Sequence, residues 1–224
     1  MIPPAMRLVC LSDTHNLHAR LSVPDGDVLV HAGDATMQGS EDELRRFADW
    51  LRGLPHRRKV VVAGNHDWLC ERQPGRAAEI LEGLDYLLDS AVEIGGLRFW
   101  GSPWQPWFLS WAFNLPRGEA LQAKWDLIPP ATDVLVTHGP PRGLLDEVET
   151  LTSRVLNALS ALDGHVGCAE LRATVETLAP RVHVFGHIHE GYGQRRERDT
   201  LYVNASCCDR RYRPVNAPIV VDLD

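Results

Sequence analysis

The chain has 224 residues, 44% of them hydrophobic, a net charge of −7 and an isoelectric point near 5.8. That length suits one α/β domain over residues 1–224 with a substantial core. The acidic balance excludes a general nucleic-acid binder, which carries a basic patch or stripe, and no apolar run reaches the roughly 18 residues of a membrane span.

Residues 7–12 form a short apolar run, the pattern of a buried strand, and lead into Asp13-Thr14-His15. Residues 28–32 repeat the pattern before Gly33-Asp34. Ser40 followed by Glu43 is a capping box that opens an amphipathic helix through Leu44, Phe47, Ala48 and Leu51. Residues 59–63 are a third strand-like run, ahead of Gly64-Asn65-His66-Asp67, and residues 76–84 predict a shorter helix. Residues 91–93 and 97–100 predict two strands joined across Gly95-Gly96. Helices are expected at 118–128 and at 169–178, the second stopped by Pro180. Between them, residues 133–137 precede His138; after them, residues 181–185 precede Gly186-His187-Ile188-His189. Strands at 201–204 and 219–222 close the chain. The five cysteines are odd in number and lack zinc-finger spacing, so they read as free thiols, the adjacent Cys207 and Cys208 included.

Five strand-like runs thus end in residues that bind metals. Open α/β sheets bind ligands at the carboxyl ends of their strands, so these side chains should converge. Together they supply two carboxylates (Asp13, Asp34), one amide (Asn65) and four imidazoles (His15, His138, His187, His189). That is enough for two cations, with His66 left for proton transfer. A mixed nitrogen and oxygen set suits Mn, Fe or Zn rather than Ca or Mg alone. Two cations about 3.5–4 Å apart stabilise the attacking and leaving oxygens of a displacement at phosphorus. Gly33, Gly64 and Gly186 are expected to let the backbone turn sharply beside a crowded ion. His18, His31, His56, His165 and His183 lack such a context and read as structural or exposed.

The series Asp-x-His, Gly-Asp, Gly-Asn-His-Asp, Thr-His and Gly-His-x-His resembles the calcineurin-like metallophosphoesterase superfamily. A closer resemblance, to the class III phosphodiesterase type and the metallophosphoesterase-domain-containing branch typified by the brain-enriched 239 proteins, rests on further segments. These are Pro-Asp-Gly-Asp at 24–27, Gly-Ser-Pro-Trp-Gln-Pro-Trp-Phe at 101–108, Phe-Asn-Leu-Pro-Arg-Gly at 113–118, Thr-His-Gly-Pro-Pro at 137–141, the run at 184–193 and Val-Asn-Ala-Ser at 203–206. Some animal members of the branch carry Gly where this chain has His187. The resemblance implies a four-layer αββα sandwich, two mixed sheets flanked by helices; periodicity alone gives only α/β. It also implies a division of ligands: Asp13, His15 and His189 to one metal, Asn65, His138 and His187 to the other, and Asp34 to both.

On that pattern His66 is not a ligand but faces the leaving group as general acid, and the neighbouring Asp67 is a candidate to orient its ring. The mechanism expected is in-line attack by a hydroxide held between the cations, which are Mn²⁺, Fe²⁺/Fe³⁺ or Zn²⁺. The substrate class implied is a small cyclic nucleotide, 2′,3′- or 3′,5′-cyclic; a phosphomonoesterase or protein phosphatase uses the same core, and a non-catalytic scaffold is the rival from another class. Five of the seven tryptophans lie at 100–125, so this segment is the expected source of substrate choice. Trp104 and Trp107 are candidates to stack on a base, as is Trp111, while Trp100 and Trp125 are expected to pack. Asn114 and Arg117 are candidates for phosphate or ribose, with Arg142 a weaker one. The N-terminal residues lack a signal-peptide pattern, so a cytoplasmic location is expected. No membrane partner is expected; monomer and dimer both stay open.

Overall fold

Valine-rich runs that are apolar on both faces form the parallel strands at the centre of two sheets, where no polar side chain is needed to meet water. The computed structural model describes residues 6–148 and 164–223. Its first part contains β1 (Met6–Leu11), β2 (Val28–Ala32), α1 (Glu41–Gly53), β3 (Arg58–Val62), α2 (Trp68–Arg72), α3 (Pro74–Ile80) and β4 (Asp85–Tyr86). There follow β5 (Ser90–Ile94), β6 (Leu97–Ser102), β7 (Gln105–Pro106), β8 (Asn114–Leu115), α4 (Glu119–Trp125) and β9 (Val134–Thr137). The last part contains α5 (Ala169–Leu178), β10 (Val182–Phe185), β11 (Gly193–Glu197), β12 (Thr200–Asn204) and β13 (Ile219–Leu223).

The first sheet runs β13-β1-β2-β3-β4 and the second β11-β12-β10-β9-β6-β5; β7 and β8 pair separately. β1 to β4 are parallel, with β13 antiparallel at one edge. The second sheet keeps β12, β10, β9 and β6 parallel and adds an antiparallel strand at each edge. One cluster lies between the sheets, with Leu8, Val30 and Val60 from the first against Phe99, Val136 and Val184 from the second. The outer face of the first sheet packs Val9, Leu29 and Val61 on Leu44, Phe47 and Leu51 of α1. The outer face of the second packs Leu135, Phe185 and Tyr202 on Trp125 of α4 and Val175 of α5. Helix, sheet, sheet and helix are the four layers of the αββα sandwich.

Local chemistry accounts for the ends of the elements. The Ser40 hydroxyl accepts the Glu43 amide, and the Glu43 carboxylate accepts the Ser40 amide at 2.9 Å, so the capping box of α1 is closed. Gly95 and Gly96, at φ 61° and 84°, make the two-residue turn between β5 and β6. His31 on β2 and His183 on β10 are buried and meet the hydroxyls of Thr14 (3.0 Å) and Thr137 (2.8 Å). Each thus braces the strand end that bears a candidate ligand. All five cysteines are free and buried.

Candidate metal centre

At the carboxyl ends of β1, β2 and β10 the chain leaves the sheet abruptly. Asp13 (φ 53°), His15 (42°), Asp34 (55°) and His187 (68°) are all in the left-handed region, which non-glycine residues seldom occupy. The loops hold one another there. The Asp13 amide donates to Gly33 O (2.9 Å), the His15 amide to Asp34 O (3.0 Å) and the Gly186 amide to His138 O (2.9 Å). The Asp13 carboxylate accepts the His187 amide (3.0 Å) and the Ser206 hydroxyl (2.8 Å), joining the two sheets.

The side chains that result point at one another. His189 Nε2 lies 3.3 Å from Asp13 Oδ1 and 3.4 Å from His15 Nε2. Asp34 Oδ2 is 3.8 Å from His15 Nε2, and Asp34 Oδ1 is 3.5 Å from His138 Nε2. Asn65 Oδ1 is 2.9 Å from His138 Nε2, and the His187 ring lies 5.0 Å from that of His138. The structure therefore brings together all seven residues expected as ligands. Three sets, Asp13/His15/His189, His15/Asp34/His66 and Asp13/Asp34/His138, each offer three donor atoms within 4.8 Å of one another.

The donor chemistry fits cations. The ring proton of His138 is on Nδ1, because that atom donates to the Ala32 carbonyl at 3.0 Å, and a carbonyl only accepts. Nε2 is then a bare lone pair facing the oxygens of Asn65 and Asp34, an assembly of acceptors that calls for positive charge at its centre. His189 is arranged alike: Nδ1 donates to Asp209 O at 2.9 Å and Nε2 turns to Asp13. Burial disfavours the His189 cation, yet the hydrogen bond and charge of Asp13 prevail and raise it to about 9. Burial pushes His15 and His187 down to about 3, so both are neutral at pH 7 and able to coordinate. Among the described residues the Nδ1 atom of His15 is buried without a partner. Burial raises Asp34 well above the usual carboxylate range, a cost that a cation beside it would offset.

His66 stands at the edge of the cluster. Its Nδ1 donates to Met37 O at 2.8 Å, and its Nε2 lies 3.9 Å from Asp34 Oδ2. The orienting group is therefore a backbone carbonyl and not Asp67, contrary to expectation. Asp67 turns the other way and accepts the amides of Gly64 (2.8 Å), Thr36 (2.9 Å) and Ala35 (3.3 Å) and the Thr36 hydroxyl (2.7 Å). It clamps the Gly33-Asp34 loop to the Gly64-Asn65 loop. The glycines also differ in part from expectation. Gly33 is left-handed at φ 102°, but Gly64 and Gly186 are needed for space: a Cβ on Gly64 would strike Asp34, and one on Gly186 would strike Asp13 and Ser12.

Of the six residues expected to touch substrate, Trp104, Asn114, Arg117 and Arg142 are engaged by the protein itself, Arg142 donating to His165 O at 3.1 Å. Trp104 donates to Asp89 at 2.9 Å, packs on Phe113 and carries the Lys124 ammonium over its ring. The Asn114 amide donates to Phe108 O and Leu109 O and pins the loop between β7 and β8. Arg117 donates to the carbonyls of Gly167 and Val166, both at 2.8 Å. Trp107 is 63% exposed where the loop between β7 and β8 leaves β7, its amide bonded to Leu115 O at 2.8 Å. Trp100 and Trp125 are buried, as expected. Trp111 instead stacks on His66, with centroids 4.3 Å apart. Tyr212 stands 4.7 Å from the His15 ring. It belongs to no metal-binding motif, so only the folded chain reveals it.

A four-layer αββα sandwich with carboxylates and imidazoles gathered where its two sheets meet defines a class of metal-dependent hydrolase. A family model for calcineurin-like phosphoesterases matches residues 6–191. Human metallophosphoesterase domain-containing protein 1 is 45% identical across 99% of this chain and 72% of its own length. A UPF0046 protein of Caenorhabditis elegans is 39% identical across 97% and 81%. Among solved structures, phosphopantetheinyl hydrolase from Mycobacterium tuberculosis is similar in fold, with a TM-score of 0.59, 15% identity and 97% of each chain covered. The chain belongs to the calcineurin-like phosphoesterase family, whose members use divalent metal ions to hydrolyse phosphoesters. No helix among the described residues is long and apolar enough to cross a membrane.

Proposed function

We propose that this phosphoesterase is a phosphodiesterase, with small cyclic nucleotides (2′,3′- or 3′,5′-cyclic) as its substrate class and two cations drawn from Mn, Fe and Zn. Asp13, His15 and His189 would hold one cation and Asn65, His138 and His187 the other, with Asp34 placed to serve both. The observation that supports the two-cation part of the reading is the setting of Asp34, whose two oxygens face His15 on one side and His138 on the other; the substrate class rests on the family resemblance.

When bound, the cations neutralise charge on the phosphoryl oxygens and acidify water. The chain's own residues do the rest. Ala32 O and Asp209 O fix the Nδ1 tautomers of His138 and His189, so that each presents Nε2. Ser206 and the His187 amide hold Asp13 as a carboxylate. His66 keeps Nδ1 on Met37 O and directs Nε2 into the cluster, where a proton on Nε2 passes to the departing ester oxygen. Loss of that proton leaves a neutral ring still anchored by Nδ1. The substrate is taken to be a small molecule, in keeping with the acidic charge, and the protein is taken to be cytoplasmic on the signal-peptide reading alone.

The test is hydrolysis of bis-p-nitrophenyl phosphate against p-nitrophenyl phosphate, with Mn²⁺ and with chelator. Diester turnover abolished by chelator supports the proposal. Preference for the monoester makes the protein a phosphomonoesterase, and no turnover of either ester at full metal loading makes it a scaffold.

A further inference from the structure

The donor cluster has an aromatic rim that no metal-binding motif contains. Tyr212 sits with its ring 4.7 Å from that of His15, 5.9 Å from His189 and 6.0 Å from His66, edge-on to all three. It is 40% exposed, and among the described residues its hydroxyl has no hydrogen-bond partner. A large ring left half in water beside two buried imidazoles and the partly buried His189 is an open contact surface. Nothing in the core requires it there.

The backbone spends effort to keep it in place. Tyr212 is left-handed at φ 55°, a conformation that a tyrosine holds only when its neighbours impose it. The Asp209 carboxylate accepts the amides of Arg211 (2.9 Å) and Arg213 (3.0 Å) and the Arg213 Nε (2.7 Å). The Asp209 carbonyl accepts the Tyr212 amide at 2.8 Å and the His189 Nδ1 proton at 2.9 Å. One oxygen therefore sets both the imidazole of a candidate ligand and the tyrosine beside it.

The second part of the rim is Trp111. Its ring stacks on His66 at 4.3 Å and an interplanar angle of 31°, and the next residue, Ala112, donates its amide to Asn65 O at 3.2 Å. Trp111 and Tyr212 thus come from loops distant in sequence, and each approaches His66, the group beside which the leaving group must depart.

We infer that Trp111 and Tyr212 form an aromatic slot that binds the organic part of the substrate, selecting phosphoesters whose alcohol bears a flat ring. This rests on the reading of the cluster as a phosphoester site. Stacking on a ring is tolerant of which base is presented, so the slot selects for flatness and not for one nucleobase.

Calorimetric titration of the Mn²⁺-loaded protein with AMP and, separately, with inorganic phosphate tests this without any turnover. Trp111→Ala and Tyr212→Ala should each weaken AMP binding by about tenfold or more, while phosphate affinity stays within about twofold. Tyr212→Phe should keep AMP affinity, since the ring and not the hydroxyl makes the contact. Elemental analysis should show two Mn per chain in every variant. Equal weakening of AMP and phosphate, AMP affinity unchanged in both alanine variants, or no AMP binding by the unaltered protein overturns the slot. Ester turnover, measured apart, speaks to the phosphodiesterase reading: an inert protein that still discriminates AMP from phosphate refutes that reading and keeps the slot.

Discussion

His138, carried by the second sheet, is aimed by the backbone of the first: its Nδ1 donates to the carbonyl of Ala32, 3.0 Å away. The residue after Ala32 has no room for a side chain. A Cβ on Gly33 would strike His138 Nδ1 and Ala63 O, and φ at 102° disfavours any L residue. Gly33→Ala should therefore displace His138 and weaken metal binding by about 10–100-fold, the cost of disturbing a group that orients a ligand. Calorimetric titration with Mn²⁺ measures it, and unchanged affinity would remove His138 from the ligand set.

His66 shares a donor set with His15 and Asp34, yet its Nδ1 is held by Met37 O and the proposed division of ligands does not use it. His66→Ala should retain two metals per chain and lose about 10²–10⁴-fold in turnover. Elemental analysis separates the alternatives, because a ligand would take a metal with it when removed.

Asp67 is 2% exposed and satisfies three backbone amides and one hydroxyl. Asp67→Ala would strand those donors in the interior. The expected loss is about 3 kcal/mol or more of unfolding free energy, from several buried donors at roughly 1–3 kcal/mol each. Urea denaturation reads it directly. A loss below about 1 kcal/mol would show that the two loops hold without the clamp.

Burial pushes His183 down to about 3 from its usual 6.5. The unfolded chain thus takes up a proton near pH 6.5 that the folded chain refuses until near pH 3. Its stabilising effect is complete above pH 6.5 and falls away as the pH drops toward 3. Between pH 7.5 and 5.0 this one residue should remove about 2 kcal/mol of stability. His183→Gln should flatten the urea-midpoint profile over that range by the same amount. An identical profile in both proteins would mean that the imidazole titrates freely.

Strand ends were legible because chemistry and periodicity coincide there: apolar runs predict β2 to the residue, and ligand types mark where each run stops. The role of Asp67 was not, since adjacency to His66 says nothing about which way a side chain turns. Asn114 and Arg117 have the donors that a phosphate would want, but carbonyls of neighbouring loops take them first. β11, with Gln194, Arg195 and Arg196 exposed, escapes a search for apolar alternation because an edge strand needs none. Tyr212 escapes for a different reason: its placement depends on a turn closed by Asp209, and no spacing rule connects that turn with His15.

Each proposed cation draws ligands from both halves of the sandwich: Asp13 and His15 with His189, and Asn65 with His138 and His187. The ions would therefore act as rivets. A fragment that ends before β10 forfeits both sites rather than keeping one. Loading would thus reinforce a docking of sheet upon sheet that the apolar cluster already makes, so chelation should be felt as a loosening of the whole molecule and not only as the silencing of a pocket.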